Sequence, residues 1–229
     1  MTGQGEYDSA SVTGVSPHGT CCSEGVRDGL PTTTVEDVDL RAWLLAAHRD
    51  MRTRLDTAVS AKVPVDRWAE TPPGGGSSIT WLTLHLARHH DLVLQTAIRN
   101  RAPLFVEHLP ALGLDPARTS AGAGLTERED ETITASIDPA ALLGYVAAVF
   151  DTTERWLQRL SAMAMDSIPD TGRRLVGLGG LDTDEFGWLI AMWDGRPVHW
   201  LVQWPLLGHA NAHIGEAIAV RNRLGYNPF

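Results

Sequence analysis

Four stretches of this chain carry apolar residues at three- and four-residue steps, and helix breakers separate them. That spacing puts the apolar groups on one face of an α-helix, unlike the two-residue alternation of a half-buried strand. In the first stretch Leu40, Leu44, Ala47, His48, Met51, Leu55 and Val59 form one stripe. Thr34 and Asp37 make a capping-box-like start before it, and Pro64 ends it. After the breaker Pro72-Pro73-Gly74-Gly75-Gly76, Ser77 or Ser78 is placed to cap a second helix, from about Ile79 to Asn100. Asp138-Pro139 is a cap followed by proline in the first turn, so a third helix starts there. Its inner side holds Leu142, Leu143, Val146, Val149, Phe150, Trp156, Leu157 and Leu160. The fourth runs from about His199 to Leu224, with a kink expected at Pro205 and Gly225 as its C-cap. Helices of roughly 20 residues are each about 30 Å long. The predicted fold is all-α, a four-helix bundle with one long crossover.

The connections differ in character. Residues 102–137 hold Pro, Gly, Ala and charged clusters without a period, as a long crossover with room for a short helix would. In 170–198, Gly177, Gly179, Gly180 and Gly187 interrupt short apolar runs, and Leu189–Trp193 meets the turn signal Asp194-Gly195. A small β-hairpin or an extended loop is predicted there. Residues 1–32 are rich in Gly, Ser and Thr and hold few bulky apolar groups, so they read as a disordered leader before a domain spanning 33–229.

Charge and cysteine usage narrow the function. The chain has 19 basic and 28 acidic residues, net −9, the wrong sign for a DNA-wrapping surface. No apolar stretch approaches the roughly 20 residues that span a bilayer, and no basic start followed by an apolar run marks a secretory signal. A cytoplasmic protein with neither nucleic acid nor membrane as partner is expected. Cys21 and Cys22 are adjacent and lie in the leader, where they read as free thiols. No nucleophile elbow is present, so a serine or cysteine hydrolase is disfavoured. A di-iron carboxylate bundle is disfavoured too, because its Glu-x-x-His pairs are missing.

The histidines carry the chemistry. On the second helix Trp81, Leu82, His85, Leu86, His89, Leu92, Val93 and Thr96 fall within an arc of about 140°. Arg88 and Asp91 fall outside it, and His90 sits at its rim. On the fourth helix Val202, Leu206, His209, His213, Glu216, Ala217, Val220 and Leu224 share an arc. A buried imidazole needs partners for two nitrogens, and each uncompensated polar group costs on the order of 1–3 kcal/mol. A shared divalent metal answers that need for several histidines at once. Two ligands at i and i+4, with one from a facing helix, leave positions open, as in catalytic zinc sites. A single inward histidine such as His48 is more often a core residue. Trp156, Trp200 and Trp204 are likewise expected in the core.

Trp81-x3-His85-Leu86-Ala87 resembles the first ligand motif of DinB-like proteins. His209-Ala-Asn-Ala-His213-Ile-Gly-Glu216, with Arg221-x2-Leu224-Gly225 after it, is similar to their last-helix motif, and Asp194–Val198 resembles the turn leading into that helix. The resemblance covers about residues 34 to 226 and extends to the superfamily of mycothiol-dependent maleylpyruvate isomerase and the bacillithiol or mycothiol S-transferases. It implies an up-down-down-up bundle, often a homodimer, that binds a divalent metal (zinc first, iron or nickel next) through His85, His209 and His213. Two departures stand out: the isomerase pattern has glutamate where this chain has His209, and residues 1–32 have no counterpart.

The implied activity is metal-dependent chemistry with a low-molecular-weight thiol as co-substrate, either S-transfer to a small electrophile or thiol-dependent isomerisation. A metal hydrolase on the same triad and a non-catalytic stress-response or binding protein are the alternatives. Arg- and Ala-rich usage with Lys62 as the only lysine suits a high-GC, actinobacterial genome, where mycothiol is the expected thiol. Around the triad, His89 reads as a base facing substrate or as a packed polar residue. Glu216 reads as the acceptor that orients a ligand imidazole or as a partner of Arg221 or Arg223. Arg88 is the first choice to hold a carboxylate of the thiol or substrate.

Overall fold

The computed structural model describes residues 39–114, 132 and 134–227. The leader, its cysteines, His18 and the expected start at Thr34 and Asp37 lie outside the described residues, as does half of the crossover. Helix α1 spans Leu40–Leu55, and Asp39 caps it, its carboxylate accepting from the Arg41 and Ala42 amides. A π-helical turn, Asp56–Ser60, extends it. Leu44, His48, Met51, Leu55 and Val59 are buried as the stripe requires, whereas Leu40 is exposed. The connection to the next helix is pinned by Trp68, which is fully buried and donates from Nε1 to the Val63 carbonyl at 3.1 Å.

Helix α2, Ile79–Asp91, starts at Ser78, whose hydroxyl accepts from the Trp81 amide. It continues as a π-helical segment, Leu92–Ile98. It is buried nearly all round, so the amphipathic reading fails here: Arg88, His90 and Asp91 are all inside. They are tolerated because they find partners. The Asp91 carboxylate accepts from the amides of Leu104 (3.0 Å) and Phe105 (2.8 Å), where helix α3, Phe105–Leu112, begins. The Tyr145 hydroxyl donates to it at 2.9 Å. The Arg88 guanidinium lies over the Phe105 ring at 3.7 Å and shares this group with Asp91 and Tyr145.

Helix α4, Pro139–Leu157, is capped by Asp138 as the sequence indicates. It packs on α1, α2 and α3. The short helix α5, Ala162–Met165, follows. The hairpin or extended loop expected in 170–198 is not what forms: α6, Thr171–Gly177, and α7, Thr183–Trp193, occupy it. Asp182 caps α7, and Asp194-Gly195 is the turn after α7 rather than a strand connection. The apolar residues at 186, 189 and 193 keep a helical step, which the interspersed glycines masked.

The last helix is composite. Helix α8, Val198–Leu201, runs through a π-helical segment, Val202–Gly208, into α9, His209–Arg223. Pro205 sits in the π segment. Proline lacks the amide and its ring crowds the carbonyl one turn back, so the kink expected there takes the form of a wider turn. Gly225, with φ of 89°, ends the helix: its amide bonds the Asn222 carbonyl and the Tyr226 amide that of Arg221, a Schellman motif. Helices α1, α4, α2 and α9 pack around one core, with α1 and α2 each touching both α4 and α9. This is a helical bundle, and among the described residues no strand forms. No described helix is long and apolar enough to cross a membrane.

Candidate metal centre

The packed pair α2 and α9 brings the histidines together. Ligand nitrogens of His85, His209 and His213 all lie within 4.8 Å of one another, and each residue is partly exposed. The two Nε2 atoms of α9, those of His209 and His213, are 3.1 Å apart. Metal–nitrogen distances of about 2.0–2.1 Å at a tetrahedral angle put ligand nitrogens roughly 3.3 Å apart. The donor set therefore fits a divalent ion that accepts imidazole, with further positions left for exchangeable ligands.

The protonation states also fit. Glu216 Oε2 accepts from His213 Nδ1 at 2.7 Å, which leaves the Nε2 lone pair facing the other two rings. Neither arginine weighed as a partner for Glu216 takes it: Arg221 donates to the Ala58 carbonyl and Arg223 to the carbonyls of Pro73 and Gly75. Burial, with the neighbouring His213 and His85, pulls the His209 pKa down to about 3, so its ring is neutral near pH 7. Neutral imidazole is the metal-binding form.

Two buried tryptophans pack beside these histidines. Trp81 lies 5.6 Å from the His85 ring and Trp193 5.7 Å from that of His89. Sequence reasoning missed Trp193, because it comes from α7; its only signal was the apolar run before Asp194. His89 is 4% exposed, and its ring stacks on that of His209 at 4.3 Å with 24° between planes. Its Nε2 is buried without a hydrogen-bond partner. Burial first, then the other imidazoles, lowers its pKa well below the usual value. π-helical turns adjoin both ligand-bearing helices: Leu92–Ile98 follows α2, and Val202–Gly208 ends one residue before His209. Such turns recur at functional sites because they rotate the side chains that follow.

The remaining candidates fall elsewhere. Arg88 is 2% exposed within the Asp91–Tyr145–Phe105 group, an interior counter-charge rather than a group on the helix edge. His48 and His90 form a second buried pair, 5.6 Å between rings, with His90 Nε2 2.9 Å from the Thr153 hydroxyl. His108 packs on Tyr145, and His199 faces the Met165 carbonyl. Of the tryptophans expected inside, Trp156 and Trp200 pack partly buried against the core, but Trp204 is 49% exposed.

The comparisons bear on the fold and the family. The crystal structure of a conserved protein of a locus from Enterococcus faecalis superposes with a TM-score of 0.62 at 17% identity, covering 82% of this chain and 98% of that one. At that identity it speaks for the fold alone. No curated protein matches the chain. The family model of the DinB superfamily matches residues 44–217, and the chain belongs to that superfamily.

Proposed function

We propose that this protein is a metal-dependent enzyme that uses a low-molecular-weight thiol, mycothiol in an actinobacterial cell, as S-transferase or thiol-dependent isomerase. The observation that carries the reading is the convergence of His85, His209 and His213 from two helices, with Glu216 behind His213. A divalent ion held there supplies a Lewis-acid centre that favours the thiolate form of a coordinating thiol.

The chain's own residues have separate tasks in this reading. Glu216 holds the Nδ1 proton of His213 and so fixes which nitrogen faces the site. His89 stacks on His209 with an unpartnered Nε2, and in this reading it is the imidazole that accepts the S–H proton and passes it to the leaving group. Trp81 and Trp193, both buried, back His85 and His89 and keep water from that side of the site. In transfer, the thiol sulfur forms a bond to the electrophilic carbon, and the proton leaves with the displaced group. In isomerisation, the same sulfur adds and is later expelled, returning the proton. Arg88 supports this chemistry from inside, as the counter-charge that holds Asp91 and the start of α3.

The test measures thiol consumption by the zinc-loaded protein with a chromogenic haloarene, beside His213→Ala. Thiol loss in the first and none above background in the second is expected. Ester hydrolysis without thiol loss would move the reading to a hydrolase on the same triad.

A further inference from the structure

Five arginines gather where α2 ends, far from the three ligand histidines. Arg99, Arg101 and Arg174 line a cavity of about 460 Å³ together with Trp156, Ile98 and Ile168. Arg155 and Arg159 line an adjoining space of about 130 Å³ that shares Arg99 and Trp156 with the first. Residue 99 follows His85 by 14 positions, roughly 20 Å along a helix axis.

The concentration of charge is unusual for this chain. Acidic residues outnumber basic ones, 28 to 19, so carboxylates are not scarce. Yet among the described residues none of the five arginines forms an ion pair. The carboxylates beside the Ser167–Pro169 rim are turned elsewhere, Asp166 toward His199 at 3.6 Å and Asp170 toward Arg173. Arg174 is spent on structure, donating to the Ala97 and Ile98 carbonyls at 2.7 and 3.0 Å. Arg99 and Arg155 make neutral side-chain bonds to Gln95 and Thr152. Burial, then the charges of Arg101 and Arg155, lowers the Arg99 pKa, as expected where like charges are held together.

Four guanidinium groups that form no ion pair among the described residues, those of Arg99, Arg101, Arg155 and Arg159, lie beside an indole and match one ligand chemistry. Guanidinium forks bind phosphate oxygens bidentately, and the indole and two isoleucines offer a surface for a planar or apolar group. The volume falls in the range of small-molecule sites, about 300–1,000 Å³. We infer that this groove binds a small organic phosphate, its phosphate among Arg99, Arg101, Arg155 and Arg159 and its apolar portion against Trp156.

The experiment is calorimetry with phenyl phosphate, ADP and inorganic phosphate at physiological ionic strength, on the wild-type chain and on Arg101→Glu/Arg159→Glu. Both substituted side chains are exposed, and circular dichroism checks that the fold is kept. Saturable binding of phenyl phosphate or ADP is expected, tighter than inorganic phosphate, with at least a roughly tenfold loss in the double variant. Bound metal should be equal in the two proteins. Absence of saturable binding by all three probes would overturn the proposal, as would equal affinity in the variant. Inorganic phosphate binding as tightly as the organic esters would remove the role of Trp156.

Discussion

His209 and His213 stand one turn apart on α9 with their Nε2 atoms 3.1 Å apart, and Glu216 grips the far side of the second ring. That contact is within hydrogen-bond distance, yet His209 Nδ1 is left buried without a partner. An ion between them and His85 satisfies all three. Purified protein should therefore hold about one divalent ion per chain. Elemental analysis should show that ion lost in His213→Ala. Equal metal in the two proteins would remove the site.

Glu216 acts through His213, so its loss should be graded. Glu216→Gln keeps an acceptor and Glu216→Ala does not. Loss of such an outer partner typically weakens metal affinity about 10- to 100-fold. Competition with a chromogenic chelator should place the glutamine variant between wild type and alanine. An alanine variant with wild-type affinity would make the contact incidental.

His209→Ala should remove metal and activity while leaving the bundle folded. The surrounding core is apolar and continuous through Leu206, Ala210 and Ile214. Far-ultraviolet circular dichroism and the urea midpoint check this. Global unfolding would assign the residue to structure instead.

His48 gives the protein an acid limit. Burial is the main cause of its pKa falling to about 4, and Arg49 and Arg52 act the same way, against Asp151 and Glu154. The unfolded chain takes up this proton near pH 6.5, whereas the folded chain does so only near pH 4. Stability from this group is thus full above pH 6.5, declines as pH falls through that window, and levels off below it, a loss of at most about 3 kcal/mol. His48→Leu should make the fall of the urea midpoint between pH 6.5 and pH 4 shallower, the remaining acid sensitivity coming from His89, His90 and His209. A variant whose acid sensitivity matched wild type would locate the effect in another group.

Asp91 should matter more than its place off the apolar stripe of the sequence suggests. It caps α3, accepts from Tyr145 and faces Arg88. Asp91→Ala leaves that guanidinium buried without its counter-charge and should cost about 3–5 kcal/mol. Tyr145→Phe, which removes one hydrogen bond, should cost about 1–2 kcal/mol. Equilibrium denaturation separates the two.

The helix count of the main bundle, its caps at Ser78 and Asp138 and its stop at Gly225 were set by the sequence, because these are local choices made within a few residues. The ligand histidines were legible for the same reason: a four-residue step on an apolar stripe says which way a side chain points. Burial of a whole helix is different. Arg88, His90 and Asp91 lie off the stripe, and only the packing of α3, α4 and α9 around α2 turned that second face into an interior. Partners 13 and 54 residues away then made a buried carboxylate tolerable, and no window along the chain holds that information. Trp193 reached the site in the same way, through α7, where glycines hid a helical step that tertiary contact stabilised.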